Sequence, residues 1–190
     1  MPFFRDIRRF LTAAILLGFS VAACDQALQL TPATLTNAVD TVTMYALRGT
    51  SVTQPSGFDI PSNRSARTDA AAFDFAFDID PSGHPLIYPA GALGLARGPG
   101  ILITGDVFDS LKTAPTTGYT DSVAVSISVG KVFIVKSRPY IVGCELTGEL
   151  PRYGKFRVLG VDPSVRSLTM EKLVNQNCGY RSLEPGLPTI

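Results

Sequence analysis

The sequence predicts an all-β fold, an antiparallel β-sandwich or barrel of about eight or nine short strands with little helix. β-branched and aromatic residues recur in short runs, several of them alternating apolar and polar with the period of a strand. Gly and Pro, 17 and 14 in number, join Ser and Thr in punctuating those runs with turns. The 190 residues, less a leader of 23, leave 167, enough for one domain with a real core.

The elements follow in order. Thr31-Pro32 and the neighbouring threonines do not suit a long helix, so 25–37 reads as a tether. Asp40 to Leu47 is the first strand, with Thr41, Thr43 and Tyr45 alternating with Val42, Met44 and Ala46. Gly49 to Thr68, holding Pro55, Gly57, Pro61 and Asn63, reads as a long loop. The clearest pattern comes next: Phe73, Phe75, Phe77 and Ile79 face a core, while Asp74, Ala76, Asp78 and Asp80 form a wet face. Pro81-Ser82-Gly83 turns the chain, and His84 to Leu93 returns. Ile101 to Thr104 is a short strand and Asp106 to Lys112 one or two helical turns. Ser122 to Val129 alternates, with Val123, Val125, Ile127 and Val129 inward. Val132 to Lys136, Tyr140 to Leu146, Lys155 to Val161 and Ser167 to Val174 complete the set, the last two joined by Asp162-Pro163-Ser164. Pro139 marks an edge or turn. The chain thus divides into a leader (1–23), an N-terminal tether (24–39), a β-rich domain (40–181) and a tail (182–190).

The leader carries its own chemistry. Arg5, Arg8 and Arg9 precede an apolar run from Phe10 to Ala23, too short to span a bilayer, which takes about 20 residues. A basic start, a short apolar run and small residues before a cut site mark a secretory signal of the general export route. The run ends in Val21-Ala22-Ala23-Cys24, which resembles the lipobox of bacterial lipoproteins. That resemblance implies acylation of Cys24, cleavage before it, and a membrane partner reached through an N-terminal lipid in the cell envelope. Asp25 resembles an inner-membrane retention signal, but inner and outer membrane both stay open.

Charge and motifs exclude several classes. Setting aside the leader's three basic and one acidic residues, of 17 and 16, leaves 14 against 15, with no basic stripe for nucleic acid. There is no Gly-x-Ser-x-Gly elbow, no phosphate-binding glycine loop and no His-Glu-x-x-His helix. Paired carboxylates acting as an envelope hydrolase are a second alternative, although the absence of Trp weakens a sugar-stacking site. Asp78, Asp80, Ser82 and Gly83 match the first half of a calcium loop, but Pro89 stands where the bidentate carboxylate belongs, so a strand ending in a turn is preferred. His84, the single histidine, flanks that turn. No cofactor is implied.

From Phe73 to Val174 the order of segments resembles HmuY-like bacterial lipoproteins, β-rich surface proteins some of which bind haem. The segments are Phe73-Asp74-Phe75-Ala76-Phe77, Phe108 to Pro115 with Gly118-Tyr119, Gly130 to Val135, and Tyr153 to Val158. The resemblance implies fold and location. Haem ligation in that family uses two histidines, so no ligand residue carries over to a chain with one.

Once Cys24 carries lipid, Cys144 and Cys178 remain, and outside the cytosol they pair as a disulfide, with two free thiols as the competing state. The expected function is a lipid-anchored envelope protein with a non-catalytic binding or structural domain. A haem or small-ligand capture protein is the alternative.

Overall fold

The computed structural model describes residues 30–95, 98–142, 144 and 148–188; Cys24 lies outside them. Ten strands form two antiparallel sheets packed as a sandwich. The first sheet holds β1 (Val39–Tyr45), β6 (Gly100–Thr104), β8 (Val132–Lys136), β9 (Tyr153–Asp162) and β10 (Ser167–Asn175), in the order β1-β10-β9-β8-β6. The second holds β2 (Gly57–Asp59), β3 (Arg64–Ala66), β4 (Phe75–Ile79), β5 (Pro85–Pro89) and β7 (Val125–Ser126), in the order β3-β2-β4-β5-β7. The only helical pieces among the described residues are 3-10 turns at Ala90–Leu93 and Phe108–Ser110.

The core lies between the sheets. Phe58 and Phe75 from one sheet interdigitate with Phe133 and Phe156 from the other, with ring centroids 5.2–5.9 Å apart in stacked and edge-on pairs. All four are fully buried, each contributing about 1.5–3 kcal/mol in area removed from water, with a further term from ring geometry. Met44, Ile87, Leu168 and Met170 fill in around them. The β9–β10 hairpin closes through Asp162, whose carboxylate accepts hydrogen bonds from the Ser164 amide and hydroxyl. A bulge in β9 places Gly160 opposite Thr169 but Val158 opposite Met170, leaving Leu159 unpaired and exposed.

Both outer sheet faces are partly covered. On the first sheet, Phe108, Leu111 and Leu183 pack over Val132, Ile134 and Leu173. Lys155 lies under that cover, donating to the carbonyls of Phe108 (2.6 Å) and Leu111 (3.0 Å), with its ammonium 4.4 Å from the Phe108 ring centre. Burial lowers its pKa. On the second sheet, Ala66, Phe73, Ala76 and Ala90 form a small cluster with Leu47 and Leu93.

These covers correct several expectations. The face carrying Asp74, Ala76 and Asp78 is not wet: both carboxylates are buried. Phe73 precedes the strand proper and packs on that outer face rather than beside Phe75. The stretch 49–68 is no free loop, because Gly57–Asp59 and Arg64–Ala66 pair as a hairpin beside β4. Only Val125–Ser126 of the 122–129 run is strand; Val123 and Val129 are exposed, Val129 next to Gly130, which adopts φ 83° in a turn. The return strand ends at Pro89, where the chain enters a 3-10 turn. No strand covers Tyr140–Ile141–Val142 or Cys144: Tyr140 bridges Leu150, and the Cys144 amide turns back to the Ile141 carbonyl, while 143 and 145–147 lie outside the described residues. The expected tether and tail also pack on the domain. Asn37 and Gly186 exchange backbone hydrogen bonds, and Leu183 is fully buried.

Because Phe75 touches rings from both sheets, Phe75→Ala should cost about 3–5 kcal/mol in urea unfolding. Val129→Ala, at 65% exposure, should change stability by no more than about 0.5 kcal/mol.

Candidate functional site

Strand pairing gives the sandwich two distinct ends. At one lie the turns around 48–54, 80–84, 128–131 and 162–166. At the other lie the N-terminal segment 30–38, the described residues between 137 and 152, and the segment 176–188. The candidate groups sort between them.

At the second end the chain is stapled. Cys144 and Cys178, 34 positions apart in sequence, form a disulfide with Cα atoms 5.5 Å apart. Arg152 lies beside it, its Nη2 donating to the Val142 carbonyl at 2.7 Å and standing 3.9 and 4.0 Å from the two sulfurs. Its Nη1 donates to the Pro61 carbonyl. The Tyr140 ring lies 5.1 Å from the Arg152 guanidinium and 5.8 Å from that of Arg138, an arrangement favoured by the ring's quadrupole.

Arg138 then gathers two carboxylates. Its Nη2 bonds Asp59 Oδ1 at 2.7 Å, its Nη1 lies 3.0 Å from Asp74 Oδ1, and its backbone amide donates to the same oxygen at 2.9 Å. The Ile60 amide donates to Asp74 Oδ2 at 2.7 Å, and the Ser62 hydroxyl donates to Asp59. Desolvation pushes Asp74 up to about 6, against the pull of Arg138 and the two amides. A cleft of about 330 Å³ opens alongside, lined by Phe73, Ala90, Leu95, Pro99 and Arg138. Arg138 reaches the cleft; the lining includes neither carboxylate. Asp59 and Asp74 are thus both bound to the one guanidinium of Arg138.

At the first end, the calcium candidates are engaged elsewhere. Asp78 is buried, its Oδ1 accepting from the amides of Ile79 (2.9 Å) and Arg48 (3.2 Å), and it pairs with the guanidiniums of Arg48 (3.4 Å) and Arg166 (3.5 Å). Asp80 instead closes its own turn, accepting from the amides of Ser82 and His84, each at 2.8 Å. These contacts and the hydrogen-bonded turn hold it below the usual carboxylate range. The exposed His84 ring sits 3.1 Å from Asp80. No group of three or more His, Cys, Asp or Glu suited to a metal occurs among the described residues.

Sequence reasoning paired the two cysteines but missed Arg138, Arg152, Arg48, Arg166 and Lys155. Arg138 lies 64 and 79 residues from its carboxylate partners, and no local spacing announces such a pair.

Two measurements follow. Alkylation of the denatured protein without reductant should label neither Cys144 nor Cys178, and replacing both by Ala should cost about 3 to 4 kcal/mol for a loop of this length. Asp74 supplies a pH signature. An unfolded aspartate releases its proton near pH 4, whereas folded Asp74 keeps it until about 6. The native state binds the extra proton in that window, so this group's contribution is fully present below about pH 4 and is lost as pH rises to about 6. Its size is on the order of 3 kcal/mol, and urea unfolding of Asp74→Asn at pH 4.5 and 7 should lack this component.

The chain matches no protein-family model, no curated protein and no solved structure.

Proposed function

We propose that the protein is exported and held on a cell-envelope membrane by a lipid on Cys24, and that its β-sandwich is a non-catalytic binding or structural domain. The observation that carries this reading is the use of cysteine. Of three cysteines, two are joined in a disulfide, a bond that persists in oxidising compartments, and the third closes a lipobox-like stretch. The ionic groups favour a non-catalytic role, because Asp59, Asp74 and Asp78 are each bound to arginine.

Small-ligand capture is a second reading, favoured by the largely apolar cleft that Arg138 helps to line. Haem is a poor candidate for that cleft, since the single histidine sits on the turn at the opposite end.

A single acyl chain holds a protein only marginally, whereas two or more hold it stably. The wild-type protein should therefore fractionate with membranes and show an acylated N-terminal Cys24 by intact mass. Cys24→Ser should be soluble or retain its leader; cleaved, membrane-bound Cys24→Ser would overturn the anchor. Native spectra of the same wild-type preparation test capture, which predicts a retained mass that denaturation removes.

A further inference from the structure

The described chain begins at Leu30, which packs at the stapled end of the sandwich. Leu30 and Leu150 press on Gly179, where an added Cβ would lie 2.8 Å from a methyl of each; Gly179 also has φ 74°, a conformation that favours glycine. From there the chain runs along the stapled end. The Asn177 side chain accepts from the amides of Thr34 (2.9 Å) and Leu35 (3.0 Å) and donates to the Leu35 carbonyl (2.7 Å). Tyr180 donates to the Thr31 carbonyl at 3.2 Å. The reciprocal hydrogen bonds of Asn37 and Gly186 then set Leu187 beside the same segment. Ile141 and Val142 belong to the loop that the disulfide ties to Cys178.

Leu35, Ile141, Val142 and Leu187 are 48–58% exposed. Near the entry segment Lys112 pairs with Glu184 at 3.1 Å and Lys172 with Asp40 at 3.4 Å. Exposed apolar side chains also occur at the other end, at Val52, Val129 and Val165. Chain length decides between the two. Five residues separate Cys24 from Leu30, a reach of at most about 20 Å. The ten residues of β9 put the opposite turns about 30 Å farther along the sandwich.

We infer that the stapled end docks against the lipid surface, with Leu35, Ile141, Val142 and Leu187 seated at the boundary between headgroups and acyl chains. This rests on the reading of Cys24 as the lipid anchor. The four side chains add buried apolar area to the covalent lipid, and the turns at 48–54 and 162–166 point away from the bilayer.

The chain contains no Trp, so a single introduced indole reports its own surroundings. The lipidated full-length mature protein, as Leu187→Trp, Val142→Trp or Val165→Trp, is reconstituted into phosphatidylcholine vesicles with or without bromine on the upper acyl chain. All three sites are exposed, and matched melting curves confirm that the fold is kept. Emission from Leu187→Trp and Val142→Trp should fall at least twofold in brominated vesicles, with Val165→Trp unchanged. Vesicle-bound protein in which all three are unquenched, or only Val165→Trp is quenched, overturns the docking and leaves the anchor standing. Protein that carries no acyl group and does not sediment with vesicles overturns the anchor, and the docking with it.

Discussion

Strand β4 is buried on both faces, and the rest of the domain is arranged to satisfy that constraint. On one side Phe75, Phe77 and Ile79 fill the space between the sheets. On the other, Ala76 sits under Ala66, Phe73 and Ala90, flanked by two buried carboxylates four residues apart. Unpaired carboxylates there would be costly, and each is met by arginines from segments adjoining the opposite sheet. Arg138 follows β8 and holds Asp74; Arg48 follows β1 and Arg166 precedes β10, and both hold Asp78. One strand thus links the sheets by ring packing at its centre and by ion pairs at both ends. The contribution of such pairs lies less in net stability than in the large cost of removing one partner.

The two ends of the sandwich serve different physical purposes. At the turn end, short hydrogen-bonded loops such as Asp80 to His84 and Asp162 to Val165 satisfy their own backbone groups. At the stapled end, long irregular segments have few ladder bonds and are held by side chains: the disulfide, Arg152, Asn175 and Asn177. Segments near the chain ends normally fray unless something ties them down. Here the covalent link and the Asn37–Gly186 bridge supply the tie. On the function proposed above, that tied end is also where the lipid tether joins the domain.

Much of this was legible in the sequence, and the remainder was hidden for identifiable reasons. The all-β class and β1, β4, β6, β8, β9 and β10 follow from period-two alternation and from turns rich in Gly and Pro. The cysteine pairing follows from counting. Strands β2 and β3 escaped notice because three residues each are too few to show a period, and Pro55 and Pro61 flank the first of them. The run Tyr140-Ile141-Val142 has strand composition, yet among the described residues it makes only the Tyr140–Leu150 bridge, in a loop held by the disulfide and by Arg152. The wet face assigned to Asp74 and Asp78 was the main misreading. Alternation shows that a strand has two faces, but not whether a distant segment covers the polar one. Val123 and Val129 err in the opposite direction, as apolar residues in phase with a strand that the chain abandons in a turn.

The double burial of β4 is tested most directly by native-state amide hydrogen exchange. The Phe77 amide donates to the Ser56 carbonyl, and Ala76 pairs with Tyr88 in the β4–β5 ladder. With both faces covered, these two amides should exchange only through global unfolding, with a protection free energy equal to that from urea unfolding. Exchange of Ala76 through a local opening several kcal/mol below the global value would show that the Asp74–Asp78 face is not sealed, and would contradict the account.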